Sequence, residues 1–228
     1  MSAAGKLLDL LFPPRCAFCR VVGARGVCEA CLASLPYADE PLRRGEPFGV
    51  CASPLLYEGA VRESLLRFKF HGARSAAQGY GPILARCAAE ELGGEFDTVT
   101  WAPVSEERAR ERGYDQAFLL ARETAKSWDT EPVRLLRKTR HNAAQSALAS
   151  AAKRRENVRG AYRAENAGAI RGAKILIIDD ILTTGATLGE CVRVLREAGA
   201  GSVVCATLAR TADEKTDFTA RGAAPADT

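Results

Sequence analysis

This 228-residue sequence has no long apolar run, only two histidines, and neither of the two commonest glycine-rich phosphate loops. No apolar stretch approaches the roughly 20 residues that a helix needs to cross a bilayer, so no membrane span is expected. The one apolar N-terminal run, Leu7-Leu8-Asp9-Leu10-Leu11-Phe12, is interrupted by Asp9 and has no small-residue cleavage site after it. It reads as a short helix that packs on the body rather than a signal peptide, and the expected compartment is the cytoplasm. His71 and His141 are the only histidines. His71 precedes Gly72 at an expected helix end, where capping explains it as well as chemistry does, and neither histidine is assigned a role. No Gly-x-x-x-x-Gly-Lys-Ser/Thr occurs, and no Gly-x-Gly-x-x-Gly follows a strand, which excludes both familiar nucleotide loops. There is no internal repeat.

What is present fits a globular α/β chain. The hydrophobic fraction of 47% and charged fraction of 26% are ordinary for a folded domain. Strand signals at 50–57, 98–102, 174–178 and 203–208 alternate with helical spacing at 60–70, 78–92 and 113–127. A further helix follows residue 187, with Leu188, Cys191, Val192 and Leu195 on one face. That alternation predicts a parallel sheet flanked by helices. Residues 36–47 read as a linker, 134–153 as a mobile basic excursion, and 211–228 as a disordered tail.

Eight cysteines are present, and four of them fall in pairs: Cys16-Ala-Phe-Cys19 and Cys28-Glu-Ala-Cys31. Each pair can place two thiolates on one tetrahedral cation, and two pairs close the site, so the zinc they imply is structural. Two disulfides or four idle thiols are the other readings. Disulfides are disfavoured in a reducing compartment, and idle thiols seldom fall in pairs. Cys191 and Cys205 sit inside apolar patterns, as small core residues do.

Residues 175–187 read Ile-Leu-Ile-Ile-Asp-Asp-Ile-Leu-Thr-Thr-Gly-Ala-Thr. An apolar strand runs into twin acids, then into a hydroxyl-rich loop and an amphipathic helix. Open α/β sheets bind ligands beyond the carboxyl ends of their strands, where Asp179 and Asp180 are expected. Thr183, Thr184, Gly185, Ala186 and Thr187 offer backbone N–H groups, hydroxyls and a helix N-terminus, which together favour a phosphate. An apolar strand with a capped helix and an acid at its tip, Thr187 being the N-cap, is the plainer reading.

Net charge is +4, unevenly placed. Residues 134–163 hold nine basic side chains against Glu156 alone, leaving the rest of the chain net negative. A charge run is usually a solvated face, but this asymmetry suggests a polyanionic partner: pyrophosphate, nucleic acid, or both.

The 175–187 run resembles the binding signature for 5-phosphoribosyl-1-pyrophosphate (PRPP) in type I phosphoribosyltransferases. The resemblance gives Asp179 and Asp180 the ribose hydroxyls and Thr183 through Thr187 the 5-phosphate, with Mg²⁺ accompanying PRPP. Joined to the cysteine pairs, it makes the chain similar to the ComF family, in which a zinc ribbon is fused to a phosphoribosyltransferase domain that acts in DNA uptake during natural competence. Tyr57-Glu58-Gly59 through Lys69-Phe70-His71-Gly72, Pro103-Val104 with Arg112-Gly113-Tyr114-Asp115-Gln116, and Arg140…Gln145…Leu148…Arg154-Arg155-Glu156-Asn157 carry the same resemblance. Tyr114 and Asp115 stand where the family commonly has Phe and Asn.

The resemblance implies a type I phosphoribosyltransferase fold, with an N-terminal helix and zinc ribbon over 1–50, the transferase domain over 51–210 and a tail over 211–228. Zinc is expected on Cys16, Cys19, Cys28 and Cys31. Arg112, Arg137, Lys138, Arg140 and Arg154 are candidate pyrophosphate or polyanion contacts. No catalytic residue is assigned. Expected partners are PRPP, single-stranded DNA and a competence helicase, and the alternative is a DNA-binding or regulatory protein that uses the fold without catalysis.

Overall fold

The computed structural model describes residues 13–140 and 158–212. The expected N-terminal helix, His141, Arg154, most of the basic stretch 140–157 and the tail from residue 213 lie outside the described residues.

A mostly parallel sheet organises the fold. Its strands are β1 (Leu42–Gly45), β2 (Gly49–Ala52), β3 (Leu55–Leu56), β4 (Thr98–Trp101), β7 (Lys174–Leu182) and β8 (Ser202–Arg210), in the spatial order β1-β2-β8-β7-β4, with β3 also pairing with β8. Only the β1–β2 hairpin is antiparallel. The sequence reading placed residues 36–47 in a linker. Instead Leu42–Gly45 pairs with Gly49–Ala52 and extends the sheet edge. Arg43-Arg44-Gly45 carries no alternation to reveal a strand, because an edge strand needs only one buried neighbour.

Both faces are covered. Leu176, Ile178, Val204, Ala206 and Leu208 meet α2 (Gly59–Phe70), α3 (Ala77–Leu92) and α5 (Gln116–Ala125) through Leu65, Phe68, Tyr80, Leu84 and Leu120. Ile175, Ile177, Val203 and Cys205 meet α7 (Ala186–Glu197) through Leu188, Cys191, Val192 and Leu195. Burial on both faces is why these strands are apolar throughout. Cys191 and Cys205 are fully buried, as core residues.

A second, two-stranded sheet joins β5 (Leu136–Lys138) to β6 (Tyr162–Ala164) over the α7 face. The excursion expected from residue 134 is thus anchored at its start: Leu135 and Leu136 are core residues. Two short helices complete the body, α4 (Glu106–Arg112) after β4 and α6 (Ala167–Ile170) before β7. Helix α4 was not expected. It buries no side chain, so it lacks the apolar stripe by which a helix is recognised.

The cysteine ribbon, which includes α1 (Glu29–Ser34), packs into the main core rather than standing apart. Cys16, Ala17, Phe18 and Cys31 join the α2–α3 cluster. The Ser64 hydroxyl donates to the Ala17 carbonyl, and the Arg67 guanidinium donates to the Phe18 carbonyl at 2.5 Å. Gly79 permits the close approach: a Cβ there would sit 2.8 Å from the Ala17 Cβ and 2.9 Å from the Gly26 carbonyl oxygen.

Candidate functional site

Strand β7 outruns its neighbour β4. The β4 pairing ends at Ile178, whereas the β8 pairing continues to Leu182. Asp179 and Asp180 therefore lie on a lip that β4 leaves open. The sequence reading ended the strand at Ile178; β8 carries it four residues further. Alternation along the strand sends Ile175, Ile177 and Asp179 toward the α7 face, and Leu176, Ile178 and Asp180 toward the α2 face. The twin acids thus leave the backbone on opposite sides.

Their environments differ accordingly. Asp180 is 4% exposed, and its Oδ1 accepts from the Lys69 ammonium at 2.8 Å. Its Oδ2 is buried and has no hydrogen-bond partner. Burial opposes the charge on Lys69, yet Asp180 and then Asp179 hold its pKa above the usual value. Asp179 is half-buried, and its Oδ1 accepts from the Asp180 backbone N–H at 2.8 Å. Burial, and then the like charge of Asp180, push the Asp179 carboxyl up to about 7, against the pull of Lys69 and Lys138. Lys69 was not singled out as a site residue from the sequence. Its only signal was its place in the Lys-Phe-His-Gly stretch that resembles the family.

Thr183 is exposed, and Thr184 and Thr187 are half-buried. Helix α7 starts at Ala186, with Gly185 as its N-cap at φ 69° and no side-chain capping bond. Thr187 is therefore inside the first turn and is not the cap. An N-terminus without a side-chain acceptor presents its first N–H groups to an anion. Gly185 is required twice over: its φ is left-handed, and a Cβ would run into the Phe48 ring.

The basic candidates separate. Lys138 is half-buried, with Nζ 5.2 Å from the centre of the Tyr162 ring. Burial and then Arg108 lower its pKa, while Asp179 pulls it back up. Arg112 is half-buried on the other side, donating to Gln116 Oε1 at 2.8 Å and lying 5.0 Å over the Phe70 ring. Burial and Arg108 lower its pKa against the pull of Asp180. Lys138 and Arg112 thus flank the lip, one toward each acid. Arg137 instead bridges Glu106 at 2.8 Å and Glu165 at 3.9 Å. Arg140 is exposed and lines a cleft of about 270 Å³ between residues 137–140 and Ser105-Glu106-Glu107. Arg154 lies outside the described residues.

Residues 112–116 serve as a brace. Asp115 caps α5 through Phe118 N, and its Oδ2 accepts from Trp101 Nε1 and Val104 N, both at 3.2 Å. The Tyr114 hydroxyl donates to the Phe68 carbonyl, one residue before Lys69. The tyrosine that departs from the family's phenylalanine therefore ties α2 to the turn before α5.

The four cysteine Sγ atoms of Cys16, Cys19, Cys28 and Cys31 lie within 4.8 Å of one another, with Cys19 and Cys28 at 3.6 Å. Thiolates at about 2.3 Å on a tetrahedral zinc would be about 3.8 Å apart, whereas a disulfide needs about 2.05 Å. All four are free thiols. Burial raises Cys31 to about 12, while backbone N–H groups outweigh burial to bring Cys16 down to about 6. Four thiolates so close need a cation between them. The cluster fits a closed structural zinc site.

Comparison with known proteins agrees with the fold and with the cysteine cluster. Residues 115–219 match the phosphoribosyl transferase domain and residues 7–60 match the double zinc ribbon domain. Competence protein ComFC of Bacillus subtilis (strain 168) is 32% identical over 157 residues, 68% of this chain and 61% of that protein. The chain thus pairs a zinc-ribbon match with a phosphoribosyl transferase match, consistent with the ComF family. Two further relatives are DNA utilization protein YhgH of Escherichia coli (strain K12), 34% identical over 119 residues, and Competence protein F of Haemophilus influenzae, 31% identical over 116 residues. Each match covers 50% of both chains, so the chain spans about half the length of these relatives. The double-ribbon match accompanies one four-cysteine cluster among the described residues. No helix among them is long and apolar enough to cross a membrane.

Proposed function

We propose that this chain binds PRPP and acts in the cytoplasm in DNA uptake or processing during natural transformation. The loop Thr183–Thr187 takes the 5-phosphate, and Asp179 and Asp180 take ribose hydroxyls. Arg112 and Lys138, which flank the lip, and Arg140 are proposed to take the pyrophosphate, and Arg154, outside the described residues, is proposed with them from the sequence alone. One observation carries the reading: an uncapped, glycine-led helix terminus lies five residues beyond twin acids on an open strand lip. A carboxyl raised by burial and then by its neighbour's charge, beside a buried oxygen that lacks a donor, suits hydroxyl donors and a hydrated cation. Mg²⁺ is the cation that travels with pyrophosphate, keeping most of its waters.

Sugar transfer from such a ligand asks little covalent chemistry of the protein. Carbon C1 would release pyrophosphate through a cation-like state, and the protein's part is positioning and stabilising the leaving charge. The division into a ribbon over 1–50 and a transferase domain over 51–210 is proposed on the same footing, with β2 as the shared edge. Isothermal titration of the full chain with PRPP and Mg²⁺ tests the reading. Asp180→Ala should weaken binding at least about tenfold. No binding by the unaltered chain up to about 1 mM would sink it.

A second reading, a single-strand-binding or regulatory role without catalysis, is favoured by the ribbon surface. Val21 and Val22 are 51% and 53% exposed, and exposed Arg15, Arg20 and Arg25 flank them. Apolar contact beside fixed cations suits a flexible nucleic-acid strand, such as one delivered by a helicase partner. Binding of single-stranded DNA should then fall steeply with salt and be lost when Arg20 and Arg25 are neutralised.

A further inference from the structure

The pair Lys69–Asp180 asks for an explanation beyond stability. Both groups are withdrawn from water, with side-chain exposures of 20% and 6%, at 2.8 Å. Buried ion pairs seldom outperform apolar packing of the same volume, so the pair is weak evidence of a stabilising role. The other carboxylate oxygen is left without a donor, which carries a real stability cost. A carboxylate held by one oxygen, with the other buried and unpaired beside the strand lip, has acceptor capacity that the protein itself does not use.

The placement of Lys69 is itself braced. Its helix α2 is tied to the ribbon by Ser64 and Arg67, and to the turn before α5 by Tyr114 on the Phe68 carbonyl. Lys69 therefore reaches Asp180 from a backbone fixed on either side. Phe70, the next residue, is 60% exposed, so the chain reaches the protein surface immediately beyond.

Resting on the phosphosugar reading above, we infer that Lys69 is a positioning residue for the sugar: it clamps Oδ1 of Asp180 and so leaves Oδ2 as the acceptor for one ribose hydroxyl. Lys69 touches no ligand atom in this role. It fixes which oxygen faces the ligand and forbids the carboxylate to rotate. Hydroxyl recognition then depends on Lys69, whereas phosphate recognition, which belongs to the Gly185 turn, does not.

That separation supplies the test. Ribose 5-phosphate and inorganic phosphate are titrated calorimetrically into the full-length chain, and into Lys69→Met and Lys69→Gln, with melting curves for each protein. The expected result has three parts. The unaltered chain binds ribose 5-phosphate more tightly than phosphate. Lys69→Met loses at least tenfold for the sugar phosphate. It keeps its affinity for phosphate within about twofold. Lys69→Gln, which retains a donor without the charge, should fall between the two, and it serves if the methionine variant does not fold. Equal affinity of all three proteins for ribose 5-phosphate overturns the inference and leaves the phosphosugar reading standing. Parallel loss of both ligands assigns Lys69 to folding alone and also overturns it. An unaltered chain that prefers phosphate, or binds neither ligand, removes the reading on which the inference rests.

Discussion

Asp179→Asn should stabilise the protein at pH 8 while weakening its hold on a sugar. The carboxyl of Asp179 rises from 3.8 to about 7 because of burial and the neighbouring Asp180 charge. Between those values the folded protein holds a proton that the unfolded chain releases. Stability therefore falls as pH rises from about 4 to about 7, and levels off above. Three pKa units at about 1.4 kcal/mol each set a ceiling near 4 kcal/mol. Partial solvent access brings the expected penalty to about 1–2 kcal/mol; the pull of Lys69 and Lys138 is already contained in the value of about 7. Asn has the same shape, can still accept from the Asp180 N–H, and carries no charge. For a folded unit of this size the gain corresponds to about 3–6 °C in melting temperature at pH 8, and to almost nothing at pH 4. Calorimetric melts of both proteins at half-unit pH steps measure the difference directly, so titrations elsewhere cancel. A difference that is flat with pH, or a variant that melts lower at pH 8, would refute the electrostatic account of the lip. Affinity for ribose 5-phosphate should drop about tenfold in the same variant, a loss of about 1.4 kcal/mol.

Three other outcomes follow. Gly185→Ala combines a left-handed φ with collision against the Phe48 ring and should cost about 2–4 kcal/mol in urea unfolding, together with phosphate binding; a cost below about 1 kcal/mol would mean that the turn relaxes freely. Cys28→Ser should remove the zinc of the four-cysteine cluster, read by atomic absorption against the unaltered chain, and lower the melting temperature, because the ribbon's core is otherwise small. Gly79→Ala should cost about 1–3 kcal/mol by prising α3 from Ala17 and the Gly26 carbonyl, with faster proteolysis of residues 15–35 as the local readout.

The parts of the fold legible in the sequence were those with a period. Helix α7 and strands β7 and β8 were found because Leu188, Cys191, Val192 and Leu195, and the apolar runs before them, repeat at the spacing their burial demands. The β1–β2 hairpin and α4 were missed for the opposite reason: an edge strand and a helix that buries nothing leave no hydrophobic trace. The glycine-led turn before α7 was readable because glycine and hydroxyls are local signals. The opposed directions of Asp179 and Asp180 were not, because adjacent letters hide the alternation of a strand that continues past them. The pairing of Lys69 with Asp180 was not readable, although Lys69 lies in a stretch that resembles the family. Lys69 stands 111 residues from Asp180 in the chain, and only the packing of α2 on the sheet brings them together.

Helix α2 grips the cysteine knuckle with Ser64 and Arg67 and, less than two turns later, delivers Lys69 to the acid lip. The cysteine cluster and the proposed sugar site consequently share one lever arm. A lineage that discarded its zinc would also have to rebuild the footing of that lysine, so the two halves are expected to be inherited, and lost, together.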